Sequence, residues 1–174
     1  MRKILYTFFI SLCAFIVPIS FCYASDTPVY DPLYNNAGAF YANGTDIIID
    51  LDNENNTVIT WNGGSQIVSS TVTVFGGGMD GSNYKSSNII MNSGEVSVIV
   101  GGGVSIQENL PAKVENSTIT INGGTVSGSV IGGGYLYSEV TNSSITVNNG
   151  NVASVGGGGV ASVTVNGIYY AIGT

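Results

Sequence analysis

The 174-residue sequence has no histidine, two cysteines, four prolines and one tryptophan, and only 9% of it is charged. Without histidine there is no imidazole base, no Ser-His-Asp triad and no imidazole metal ligand. Four basic residues stand against eleven acidic ones, too few to neutralise nucleic-acid phosphates or anionic lipid headgroups. Both cysteines, Cys13 and Cys22, and half of the basic residues, Arg2 and Lys3, lie in the first 24 positions. Beyond them the chain has no thiol and no arginine, and Lys85 and Lys113 face eleven acids, a charge of −9. Stability must then come from burial and hydrogen-bond ladders rather than from disulfides.

The N-terminus reads as an export signal. Met1-Arg2-Lys3 is basic, Ile4 to Val17 is almost unbroken apolar, Pro18 comes next, and Cys22-Tyr23-Ala24 places small residues at the −3 and −1 positions of a cut. Pro18 and Ser20 leave the apolar run marginal against the ~18 or more residues of a membrane helix. Phe21 is bulkier than the residue that ordinarily precedes a lipidated cysteine. The expectation is a signal peptide over 1–24, cleaved before Ser25, a secreted or cell-surface product, and no membrane contact after cleavage.

Glycine is abundant, 25 residues, but it has no Gly-X-Y period, which excludes collagen. It recurs instead as tracts after an apolar segment: Gly76-Gly77-Gly78, Gly101-Gly102-Gly103, Gly132-Gly133-Gly134 and Gly156-Gly157-Gly158-Gly159. Between the tracts lies a second repeated element that ends in Asn. Its copies are Val58-Ile59-Thr60-Trp61-Asn62, Asn88-Ile89-Ile90-Met91-Asn92, Thr118-Ile119-Thr120-Ile121-Asn122, Ser144-Ile145-Thr146-Val147-Asn148 and Ser162-Val163-Thr164-Val165-Asn166. Each is succeeded within two residues by glycine, namely Gly63, Gly94, Gly123, Gly150 and Gly167. Apolar residues alternate with Thr, the period of a half-buried strand. A unit this short cannot bury its apolar face alone, whereas stacked units bury a continuous core.

These repeats predict an all-β, right-handed parallel β-solenoid of about four to five coils. Asn62, Asn92, Asn122, Asn148 and Asn166 would stack at one corner as a structural ladder of buried side-chain amides. The alternative is an antiparallel sandwich or prism of hairpins, because Asn-Gly also favours hairpin turns. The triglycines mark a corner where coils approach too closely for a Cβ or where φ is positive. Residues 25–56, with Tyr30, Tyr34, Phe40 and Tyr41 and no alternation, read as an aromatic N-terminal cap with a first strand, and 57–174 as the repeat domain. A glycan-stacking surface is the other reading of those aromatics.

The unit strand-Asn-Gly, then Val-Ile-Gly-Gly-Gly, resembles the glycine-rich repeats of secreted bacterial β-solenoids, adhesin and autotransporter passenger regions among them. The resemblance covers about Thr57 to Gly167 and implies architecture more than activity. Related β-helix lyases use a basic residue with acidic Ca²⁺ ligands. Here the bases are few, and Glu95, Glu108, Glu115 and Glu139 are scattered, so no enzyme and no cofactor are expected. Asp50, Asp52 and Glu54 are the candidate ligands for a hard cation, spaced i, i+2, i+4; a solvated turn is the plainer reading. Thr71-Val72-Thr73, Thr118-Ile119-Thr120, Ser144-Ile145-Thr146 and Ser162-Val163-Thr164 raise a second function, a flat face that binds carbohydrate or ice. The main expectation is a non-enzymatic surface or adhesin-type module whose partner is an extracellular protein or glycan. The last repeat has no triglycine and no evident cap, which leaves a longer repeat protein or end-to-end self-association open.

Overall fold

The computed structural model describes residues 27–32, 34–158, 160–166 and 168–172. The expected signal peptide, with both cysteines, lies outside them, as do Gly159 and Gly167. The described chain is all-β and forms a parallel β-solenoid of about four turns.

Strand β1 (Val29–Asp31) leads into β2 (Ala39–Tyr41), and a three-strand meander comes next: β3 (Ile47–Leu51), β4 (Thr57–Trp61) and β5 (Gly64–Ile67). The next coil holds β6 (Thr73–Phe75) and β7 (Asn83–Met91). After it come β8 (Glu95–Val96), β9 (Val98–Val100), β10 (Val104–Ser105) and β11 (Lys113–Ile121). Then come β12 (Thr125–Ile131), β13 (Tyr135–Leu136) and β14 (Glu139–Val147), and finally β15 (Asn151–Gly156), β16 (Val160–Val165) and β17 (Ile168–Ile172). One sheet, here sheet A, stacks β2, β6, β9, β12 and β15 in parallel, with β1 antiparallel on its outer edge. The facing sheet B stacks β3, β7, β11, β14 and β16 in parallel. Short strands β10 and β13 pair on a third side.

The two sheets close on one apolar interior because alternate residues of β3, β7, β11 and β14 point inward. In sheet B the register runs Ile47–Ile89–Ile119–Ile145 and Ile49–Met91–Ile121–Val147, all buried. Phe40, Val74, Ile99 and Val130 meet them from sheet A. Each such side chain contributes roughly 1.5–3 kcal/mol by leaving water. Thr120 and Thr146, one residue on, are half-exposed.

Two sequence expectations need correction. The first rung of sheet B is β3, not the Asn-ended segment at 58–62. Ile59 is buried, but it lies antiparallel to Ile49, and Trp61 lies opposite Ile47 with its ring 5.6 Å from Phe40. The cause is local: Asp52 accepts the N–H of Glu54 and of Asn56, each at 2.8 Å, and Asn55 takes φ +63°, so the chain folds straight back. The expected boundary at 56/57 therefore falls inside a hairpin, and residues 25–56 supply rungs β2 and β3 as well as the covering strand β1. The rival antiparallel architecture is confined to the ends, as β1–β2, β3–β4–β5 and β16–β17.

The triglycines are required for close approach. None of the glycines described in these tracts has a positive φ. A Cβ on Gly76 would lie 2.5 Å from the Gly101 carbonyl and 2.6 Å from Ser87 Oγ, and one on Gly132 would lie 2.6 Å from Ser143 Oγ. Backbone bonds step from tract to tract, Gly76 N–H to Val100 O at 2.8 Å and Gly101 N–H to Ile131 O at 2.7 Å. Positive φ belongs instead to Gly94, Gly124 and Gly150, two residues after each corner Asn.

Candidate functional site

The Asn corner is a real ladder, but an exposed one. The Asn148 amide donates to Asn122 Oδ1 at 2.8 Å, and the Asn122 amide donates to Asn92 Oδ1 at 3.0 Å. All three side chains face solvent, since the corner comes directly after an inward residue on each strand. Burial of these amides is thus overturned. Asn62 is not part of the ladder: with Gly63 it connects β4 to β5. Its place is taken by Asp50, whose carboxylate accepts the Ser93 hydroxyl and the Leu51 N–H. Ser93 first, then Leu51 and Asn92, hold Asp50 below the usual carboxylate range. Asn166 keeps the backbone register, N–H to Val147 O at 2.7 Å, but takes φ +49° and turns into the β16–β17 connection.

The suggested cation ligands do not converge. Asp50 is engaged as described, Asp52 is spent on its own turn, with Asn56 Nδ2 also donating to it at 3.0 Å, and Glu54 stands in solvent. Among the described residues no three acidic side chains gather around a metal position. Thr71 is likewise diverted, donating to Ala37 O at 3.2 Å in the turn before β6. Thr120, Thr146 and Thr164 do align by register, as do Thr118, Ser144 and Ser162, while Asn88, Ile90 and the exposed Ile48 interrupt the ranks.

A serine column escaped the sequence reading. Ser87, Ser117 and Ser143 are buried in register beneath the triglycines, with Ser87 Oγ donating to Gly101 O at 2.7 Å and Ser143 Oγ to Gly158 O at 3.1 Å. The signal was present: each lies two residues before its column isoleucine, a small residue opposite a glycine.

Among the described residues, the two most exposed large apolar side chains, Ile106 and Leu136, lie on the third side of the solenoid. The loops after the triglycines differ in length and sequence, yet they stack. Asp80 accepts Ile106 N–H at 2.8 Å and Gln107 Nε2 at 3.1 Å, Gly81 N–H reaches Leu110 O at 2.8 Å, and Tyr137 N–H reaches Ser105 O at 3.1 Å. Desolvation pushes Asp80 upward, but bonds from Ser105, Gln107 and Ile106 outweigh it and leave the carboxyl below its ordinary value. On this frame Ile106 is 71% exposed, Leu136 61% and Tyr137 51%, with Met79, Leu110 and Tyr135 also open. Leu136 has φ +57°, a left-handed conformation that is costly for a bulky residue and persists only where its surroundings impose it. Tyr135 turns back over sheet A, its ring 6.5 Å from Phe75, and with Val98, Val100, Thr73 and Asn35 it lines an apolar groove of about 110 Å³. A larger cleft of about 580 Å³ beside Glu95 and Ser93 is open and polar, and Glu95 is its one carboxylate.

No protein-family model matches the chain, and no match to it was found among curated proteins or solved structures.

Proposed function

We propose that the chain is a non-enzymatic, exported surface module of the adhesin type, in which the solenoid is a stiff spacer and the loop edge binds an extracellular protein or glycan. The observation that carries this reading is the row of exposed Ile106, Leu110, Leu136 and Tyr137 on loops of unequal sequence held rung to rung by backbone bonds. A rigid frame that presents variable apolar and aromatic side chains is how recognition is commonly built. The carboxylates with shifted titration, Asp50, Asp52 and Asp80, are all lowered by hydrogen bonds. A general acid working near neutrality needs the opposite shift.

The test begins with the full sequence expressed in a secreting bacterium. The product is expected outside the cytoplasm with Ser25 as its first residue; retention of an uncleaved form inside contradicts export. The combined variant Ile106→Ser, Leu136→Ser and Tyr137→Ser should keep the melting curve and lose at least tenfold in binding to host surfaces or immobilised glycans. A second reading is favoured by the register of Thr120 with Thr146 and of Thr118 with Ser144, a flat hydroxyl face. If binding survives the loop variant and falls with Thr118→Val and Thr146→Val, or if ice growth is inhibited, the flat face is the site.

A further inference from the structure

Asn43, Asn62, Asn122, Asn149 and Asn166 are each followed directly by glycine. In such a pair the glycine backbone nitrogen can attack the asparagine side-chain carbonyl, because no Cβ stands in the way. The N–Cγ bond forms, the proton of that nitrogen passes through water to the side-chain nitrogen, the Cγ–N bond breaks and ammonia leaves. Water then opens the five-membered succinimide at either carbonyl and gives aspartate or isoaspartate. Ring closure needs an amide side chain free to rotate and a following peptide free to turn toward it. Gly167 lies outside the described residues; the other four pairs differ in both respects.

Asn43 is buried, its amide donates to Thr27 O at 2.8 Å, and the Gly44 nitrogen is held by Gly76 O at 2.9 Å. Asn122 is bonded on both sides in the ladder, and Gly123 lies against the Asn92 carbonyl of the coil below. The Asn149 side chain is exposed, but its peptide is pinned to the preceding coil by Asn148 N–H to Ile121 O at 2.8 Å and Asn151 N–H to Gly124 O at 2.9 Å. Asn62 and Gly63 have no such restraint. Both are exposed, the Asn62 amide and the Gly63 N–H make no hydrogen bond to any described residue, and nothing lies within 4 Å of a Cβ built on Gly63. Their turn joins β4 to β5, which among the described residues pairs only with β4 and keeps mostly exposed side chains. Segments that bury so little open locally at low cost.

We propose that Asn62 is a self-modification site, the first of these four asparagines to deamidate in the folded chain, and that its isoaspartate form releases β5 from β4 while the coils stay stacked. Isoaspartate routes the backbone through Cβ and lengthens a two-residue turn by one atom, and turn length fixes the register of a hairpin. The release stops at Val68, which is buried and bonded through its N–H to Thr57 O at 2.9 Å. Conversion also adds a carboxylate to a groove of about 370 Å³ lined by Thr60, Asn62 and Asn88, where Asp46 is the one acid. The site is independent of what the loop edge binds.

Peptide mapping by mass spectrometry tests this on the chain produced from its full sequence and aged in warm, mildly alkaline buffer, once folded and once in urea, with isoaspartate identified by enzymatic methylation. In the folded chain, conversion at Asn62 should run at least tenfold faster than at Asn43, Asn122 or Asn149, whereas in urea the four sites should convert at similar rates. Hydrogen exchange of the aged folded chain should quicken over 64–67 and stay unchanged over 113–121 and 139–147. Asn62→Gln, which cannot close the five-membered ring, should keep both the mass and the slow exchange of fresh protein. Faster conversion at Asn122 or Asn149 in the folded chain overturns the proposal. The same ranking in urea also overturns it, because neighbouring sequence and not the fold would then select the site. Conversion at Asn62 with unchanged exchange over 64–67 overturns the release of β5.

Discussion

Val58-Ile59-Thr60-Trp61-Asn62-Gly63 and Thr118-Ile119-Thr120-Ile121-Asn122-Gly123 carry the same alternation and the same Asn-Gly ending, yet β4 runs antiparallel to both neighbours and β11 parallel to both. The difference lies in what flanks the motif. After Asn62 the positive φ falls on the next residue, Gly63 at +108°, and the strands on either side pair directly with each other. After Asn122 it falls one residue later, on Gly124 at +86°, and the chain leaves for the other sheet. The residues beyond each turn matter as well. Ser65-Gln66-Ile67 gives β5 little to bury, whereas Val126, Val130 and the triglycine carry the other chain into the core and round the next corner. A strand motif sets which residues face inward; glycine placement decides where the strand goes.

Paired substitutions separate the two regions, from the largest effect to the smallest. Ile119→Ala, in the middle of the parallel stack, should cost about 2–5 kcal/mol because the layers above and below cannot collapse into the cavity. Thr120→Ala beside it should cost at most about 0.5 kcal/mol, and denaturant midpoints would show the contrast. Gly101→Ala, where the new methyl would meet Ser117 and the Gly132 carbonyl, should cost about 1–3 kcal/mol by overpacking. Gly156→Ala, at the same point of the last tract, meets nothing within 4 Å and should stay within about 0.5 kcal/mol. Equal losses at the two glycines would mean that tract chemistry, not coil stacking, selects glycine.

Asn122→Asp breaks a ladder bond in the open and should cost about 1 kcal/mol, while Asn62→Asp at the hairpin stays within about 0.5 kcal/mol. The smallest effect belongs to Asp50, the acidic member of that corner. Its carboxyl is held below its ordinary value of 3.8 when folded, so it adds stability above that pH and loses it as pH falls through the lower folded value. Asp50→Asn should therefore lose a little stability at neutral pH and flatten its decline below about pH 4. An unchanged acid limb in a pH series of melting curves would place the acid sensitivity elsewhere.

Much of this was legible because repetition averages out local ambiguity. Ile89, Ile119 and Ile145 could be placed in one buried column from alternation alone, and the glycine tracts located the corners. The first coil was legible only as a first strand within 25–56, since Ile47-Ile48-Ile49 has no Asn and no alternation that would fix its register in the stack. Its corner, Ala42-Asn43-Gly44, stands where later coils have triglycine, with Gly44 N–H bonded to Gly76 O at 2.9 Å. The loop edge was legible only as variable sequence. Which of its apolar residues are exposed depends on contacts between loops far apart in the chain, such as Asp80 with Ile106, 26 residues on, and no periodicity records such contacts.

Backbone nuclear Overhauser contacts measure most directly whether the coils stack in parallel with β3 as the first rung. Ile119 should show inter-strand contacts to Ile89 and to Ile145, and Ile47 to Ile89, with Hα–Hα contacts between facing antiparallel residues confined to the ends, such as β3 with β4. Hα–Hα contacts joining 113–121 to 125–131 across Asn122 and Gly124 would contradict the solenoid and restore the stack of hairpins.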